Sequence, residues 1–211
     1  MGDRLGAYSL FCEHYPAECV SFERKPDLIR LNAESWQKLQ NIFTRVRDKM
    51  RIVADFTKYT LPGAKDEKGF EKAPDVWTRG EDDKGDCEDF VFRWKKEMED
   101  AGFSSAALLT TFIQSNDTEE MTVDGKKHTF NQGHMVLTIR TDYGDMIADV
   151  LNYAMYPLTK LDKKWSIELV QSPQDMTRFF KAEIVNPALA ATAIVRDRFP
   201  AQRYAIAGAG G

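Results

Sequence analysis

The sequence carries no excess of positive charge: 29 Lys and Arg stand against 33 Asp and Glu, a formal net charge of -4, and the basic residues are scattered. That excludes the electrostatic footprint of a nucleic-acid partner or of a protein held on an anionic membrane. No apolar run approaches the roughly 18 residues of a spanning helix, so the chain is not expected to be membrane-inserted. Met1-Gly2-Asp3-Arg4 opens without the hydrophobic stretch of a secretory signal, which leaves a cytosolic protein or one whose leader is missing from this sequence. Proline, glycine and serine form no tract that divides the chain, and no repeat is visible. With 43% hydrophobic and 11% aromatic residues over 211 positions, one core and one domain over 1-211 are expected. The Ala-rich end, 186-211, reads as a lightly held tail.

Cysteine is sparse, at three residues. Cys12 and Cys19 lie close together around Pro16, while Cys87 stands alone. A bond between the first two would tie down an otherwise weakly patterned segment and would persist in an oxidising compartment such as the periplasm. Three reduced thiols in the cytosol is the alternative. His14 between the pair matches no common zinc spacing.

Asn32 is a plausible N-cap for a helix with Trp36, Leu39, Phe43, Val46 and Met50 at helical spacing. A second helix over 88-100 carries Phe90, Val91, Trp94 and Met98 on one stripe, with Arg93, Lys95, Lys96 and Glu97 largely off it. Between them, 61-88 is irregular and polar. Its Trp77 reads as a core anchor, with an oxyanion donor as the alternative. Strands are expected over 107-113, 134-141, 146-151 and 165-170, with 114-132 a polar flap or long hairpin and 142-145 a turn. Helices before a run of strands indicate an α+β domain, helices packed on an antiparallel sheet.

Cys87 begins the second helix, where unpaired N-H groups and the dipole favour a thiolate. The plainer reading is a small buried hydrophobe, with Asp86 no more than an N-cap. Asp82, Asp83, Asp86, Glu88 and Asp89 crowd the same stretch and count against burial. Their charge raises a neighbouring thiol's pKa, so a nucleophile here needs a compensating cation. Calcium would serve, with Asp86 and Glu88 among its oxygen ligands, although the spacing is not that of an EF-hand. Of three histidines, His134 alone opens a buried-looking strand; His128 reads as part of a Lys-rich loop. Asp149 is the acid within the returning strand and needs a partner there. An even turn puts it on the face of His134; an odd one favours Asn152 as the orienter.

Gly85-Asp86-Cys87-Glu88-Asp89, Gly133-His134-Met135-Val136-Leu137 and Ala148-Asp149-Val150-Leu151 resemble the bacterial transglutaminase-like cysteine proteinases. Phe11-Cys12, Pro16 to Cys19, Trp77 and Gln171-Ser172-Pro173 extend the resemblance from about Leu10 to Phe180. It implies a papain-like fold, a Cys87, His134, Asp149 triad, calcium held partly by Asp86 and Glu88, and a periplasmic setting. It also implies a protein substrate, a large surface adhesin in the biofilm-regulating members, and an inner-membrane regulatory receptor. Val150 stands where the family usually has Asn. Acyl transfer to an amine and a non-enzymatic metal-dependent binding module are the competing functions.

Overall fold

The computed structural model describes residues 2-19, 27-53, 76-123, 126-184, 192-196 and 203-207. The described residues include three α-helices: α1 (Gly2–His14), α2 (Ala33–Lys49) and α3 (Cys87–Asp100). A short parallel pair, β1 (Arg51–Ile52) and β2 (Lys84–Gly85), leads into α3. The main sheet is built from β3 (Leu108–Val123), β4 (Lys126–Ile139), β5 (Met146–Asp149), β6 (Ala154–Pro157), β7 (Trp165–Gln171), β8 (Phe179–Ile184), β9 (Thr192–Arg196) and β10 (Arg203–Ala207). Its order is β10-β9-β8-β7-β3-β4-β5-β6, and every pairing is antiparallel. This is the α+β class expected, with the helices gathered on one face.

Local chemistry accounts for the helices. The Asn32 side chain accepts from Ser35 N at 2.9 Å while the Ser35 hydroxyl accepts from Asn32 N, a reciprocal cap that removes two orphan donors from the start of α2. Its buried stripe, Leu39, Ile42, Phe43 and Val46, packs on α3, where Phe43 stacks on the fully buried Trp94 at 4.7 Å. The Trp94 indole donates to the Phe43 carbonyl at 3.2 Å, so the ring is buried without an orphaned N-H. Beneath these helices lie Leu108, Phe112, Met135, Leu137, Ile139 and Ala148 of the sheet. On the other face Leu109, Ile113, Val136, Ile147, Trp165, Ile167 and Val170 form a smaller cluster.

Several expectations change. The segment before Cys12 is helical, and Tyr8 and Phe11 stack on Phe92 of α3 at 6.2 and 3.9 Å, so aromatic packing orders it as well as the Cys12–Cys19 disulfide. The polar stretch 114-132 is the long hairpin of its two alternatives, a pair of strand arms with a register shift between Gln114 and Thr118; what changes is His128, which sits in β4 opposite Met121 rather than in a loop. Lys95, expected off the apolar stripe, is 4% exposed because Gln171 Oε1 accepts its ammonium hydrogen at 2.6 Å. Strands β6, β8, β9 and β10 have no counterpart among the expected strands, and β9 and β10 pair into the sheet where a lightly held tail is expected. Trp77 is the core anchor, tilted against Tyr8, Phe92 and Phe112. The irregular reading of 61-88 falls, up to residue 75, outside the described residues, as does most of 186-211 apart from β9 and β10.

Candidate active site

Three elements deliver the candidate side chains. Asp86 occupies the N-cap position of α3, with extended backbone and no side-chain bond to the first turn, and Cys87 follows as the first helical residue. The approach is fixed from behind. Arg51 pairs with Lys84 and Ile52 with Gly85, while Asp89 turns back so that its Oδ1 accepts from Thr78 N at 2.7 Å and Thr78 Oγ1 at 2.8 Å. Gly85 is required here: a Cβ would stand 2.1 Å from Asp89 Oδ2. The acid cluster was read as evidence against burial, but Glu88 and Asp89 are 5% and 0% exposed. For Asp89 the reason is the Thr78 donors, a long-range partner that composition does not reveal.

Cys87 itself is half-buried, and its thiol donates to Glu88 Oε2 at 3.2 Å. Burial, followed by the charges of Glu88 and Asp86, pushes that thiol well above its usual range; a hydrogen bond with the Met135 backbone pulls the other way. Met135 is the residue after His134 in β4, so the sulfur approaches that strand one residue along the chain from His134. Among the described residues, however, the thiol's own hydrogen bond goes to Glu88 and not to His134.

His134 and Asp149 are brought together. The pairs Ile139–Met146, Thr138–Ile147 and Leu137–Ala148 put Asp149 on the face of Val136 and His134. His134 Nε2 lies 2.8 Å from Asp149 Oδ1, and the two residues are 4% and 1% exposed. The His134 ring is tilted over Trp165 at 5.8 Å. Burial alone would raise the Asp149 carboxyl; the hydrogen bond and charge of His134, then Tyr156 and Asn152, outweigh it and hold the group down at about 2. An ionised Asp149 facing Nε2 selects the tautomer protonated there and leaves Nδ1 as the basic nitrogen.

Asn152, the alternative orienter, bonds Asp149 Oδ2 at 2.6 Å instead of the imidazole. Tyr156 donates to the same oxygen at 2.8 Å and was missed, because β6 was missed. The available signal was Ala154-Met155-Tyr156-Pro157, a short extended stretch closed by a proline that suits an edge strand.

For a cation, Asp86 and Glu88 offer carboxylate oxygens on either side of Cys87. No group of three His, Cys, Asp or Glu side chains is gathered for a metal among the described residues. Two carboxylates are oxygen donors of the kind calcium takes, and an ion held by them would need backbone carbonyls and water to complete its shell.

Comparison with known proteins gives the family. A model of the bacterial transglutaminase-like cysteine proteinases matches residues 4–183. Legionella pneumophila LapG in its calcium-bound form is 18% identical, with 81% of this chain and 76% of that chain covered and a TM-score of 0.46. The EGTA-treated form is 18% identical over 78% of this chain and 72% of that one, at a TM-score of 0.44. No curated protein matches. On the family match, the chain belongs to the bacterial transglutaminase-like cysteine proteinases and is an enzyme of the cysteine proteinase type.

Proposed function

We propose that the protein hydrolyses a peptide bond of a protein substrate with Cys87 as nucleophile, His134 as general base and acid, and Asp149 as the orienter of His134. The observation that carries this is the buried His134–Asp149 pair, 2.8 Å between Nε2 and Oδ1, with His134 on the strand whose Met135 backbone bonds the Cys87 sulfur. His134 Nδ1 takes the thiol proton; the Cys87 sulfur attacks the carbonyl carbon, and N-H groups at the start of α3 hold the oxyanion. The C-N bond breaks as His134 returns the proton to the amine. Water then cleaves the thioester, with His134 again accepting and releasing the proton.

To reach His134 the thiol exchanges its Glu88 partner for the imidazole. Calcium held by Asp86 and Glu88 would supply positive charge that offsets the carboxylates opposing the thiolate. The Cys12–Cys19 disulfide supports a periplasmic setting, since such bonds persist in oxidising compartments. Resemblance to the family supports a large surface adhesin as substrate and an inner-membrane receptor as regulator. We read 1-211 as one catalytic domain, in which the stretch 186-211 expected as a tail contributes β9 and β10 to the sheet.

Cys87→Ala with an unchanged unfolding profile tests the core of this reading: cleavage of a peptide library, read by mass spectrometry, should vanish. Full activity of that variant would overturn it. An added primary amine distinguishes hydrolysis from acyl transfer, because only transfer yields an amide adduct. A binding module would cleave nothing in either form.

A further inference from the structure

Asp149 has more partners than the orientation of one imidazole requires. Its Oδ1 accepts from His134 Nε2 and from Leu151 N, each at 2.8 Å; its Oδ2 accepts from Asn152 Nδ2 at 2.6 Å and Tyr156 Oη at 2.8 Å. Asn152 Nδ2 also lies 3.3 Å from Tyr156 Oη, so that hydroxyl accepts from the amide while donating to the carboxylate, and its hydrogen has one direction. The three side chains form a closed ring.

The fold makes this ring reproducible. In the β5–β6 pair Ile147 faces Tyr156 and Asp149 faces Ala154, which puts Tyr156 on the Asp149 face, one diagonal step away. Asn152 comes from the turn between those strands, where Tyr153 takes a φ of 48°, in the left-handed region, and its N-H bonds the Val150 carbonyl at 3.2 Å. A β-strand hydroxyl and a turn amide thus meet one oxygen of a side chain that is 2% exposed.

We propose that Tyr156 is a positioning residue of the catalytic site: with Asn152 it pins Asp149 Oδ2, so that Oδ1 stays aimed at His134 Nε2 and the basic nitrogen of His134 remains Nδ1. Without these donors Oδ2 is a buried oxygen lacking partners, and the carboxylate gains by rotating away from the imidazole. Tyr156 acts through Asp149 and never touches substrate. The inference rests on the triad proposed above, and one arm of its test does not need turnover.

The test is Tyr156→Phe, which removes the hydroxyl and keeps the ring, with Asn152→Ala as a second variant from the other element. Nitrogen-15 spectra of labelled His134 should show the Nε2-protonated tautomer in the wild-type protein and a mixture in both variants. With a peptide substrate, Tyr156→Phe should lower kcat about tenfold and leave KM within about twofold. In an Asp149→Asn background the same change should cost nothing further, because the residue it acts through is already altered. Unchanged His134 spectra in both variants would overturn the proposal, as would a Tyr156→Phe loss that persists in full in the Asp149→Asn background. If the wild-type protein cleaved no peptide, the proteinase reading would fall, and the spectra would still decide whether Tyr156 positions Asp149 and His134.

Discussion

His134 and Asp149 share one face of the sheet because an even number of residues, 140 to 145, separates the paired Ile139 and Met146. An odd connection with regular pairing would have sent the carboxylate through the sheet to the helix side. The pair is therefore a property of the β4–β5 connection as much as of the two residues. That connection is itself tied down: Thr141 Oγ1 donates to the Gly144 carbonyl at 2.5 Å, and Leu158 N to the Asp145 carbonyl at 2.8 Å.

Asp145, in the same connection, yields a prediction with a definite sign. It is 8% exposed, and among the described residues its Oδ2 accepts no hydrogen bond. Burial, partly countered by the charge of Arg140, pushes its carboxyl from 3.8 up to about 6. A folded value above the unfolded one means the stability this group lends is fully present below the unfolded value and is lost as pH rises through the folded one. Asp145→Asn should therefore raise the unfolding free energy by about 1–3 kcal/mol near neutral pH and by almost nothing near pH 4. Urea unfolding at the two pH values checks this; an equal gain at both would contradict it.

The disulfide gives a second. Bonding Cys12 to Cys19 closes a short loop at the end of α1. Replacing both by serine should cost about 2–3 kcal/mol on the loop-entropy account. The aromatic stack of Phe11 on Phe92 should keep α1 docked, so activity per folded molecule should be retained. Loss of the fold altogether in the double variant would show that the stack cannot hold the helix.

Trp94 is the third. It is 0% exposed, stacked on Phe43 and bonded to its carbonyl. Trp94→Ala should destabilise by about 3–5 kcal/mol through the cavity it leaves, read as a lowered unfolding midpoint. A loss below about 1 kcal/mol would mean that α2 and α3 are not held together there.

Calcium supplies the fourth. If Asp86 and Glu88 are ligands, Asp86→Asn and Glu88→Gln should each weaken calcium binding by about tenfold or more in titration calorimetry. Affinities equal to the wild-type value in both would remove these residues from the site.

Much of this architecture was legible in the sequence, and what escaped has physical causes. Helices α2 and α3 announced themselves because cap and apolar stripe are local signals, as with Asn32 and the run from Phe90 to Met98. The outer arms of β3 and β4 carried no such signal: residues 116-120 are exposed, so no alternation marks a buried face. Burial of Lys95 and Asp89 was hidden because their partners, Gln171 and Thr78, lie 76 and 11 residues away. The candidate site was legible as residue types at telling places: a cysteine at a helix start, a histidine opening an apolar strand and an acid among aliphatics. The Tyr156 and Asn152 donors were illegible as a ring, since recognising them required the register of a strand, β6, too short to declare itself.

The most direct test is the reactivity of Cys87 with and without His134. With calcium present at neutral pH, iodoacetamide should label Cys87 about tenfold or more faster than a thiol in an unstructured peptide, and His134→Ala should abolish that advantage in a folded protein. Equal labelling rates in the two proteins would contradict the assignment of His134 as the base for Cys87.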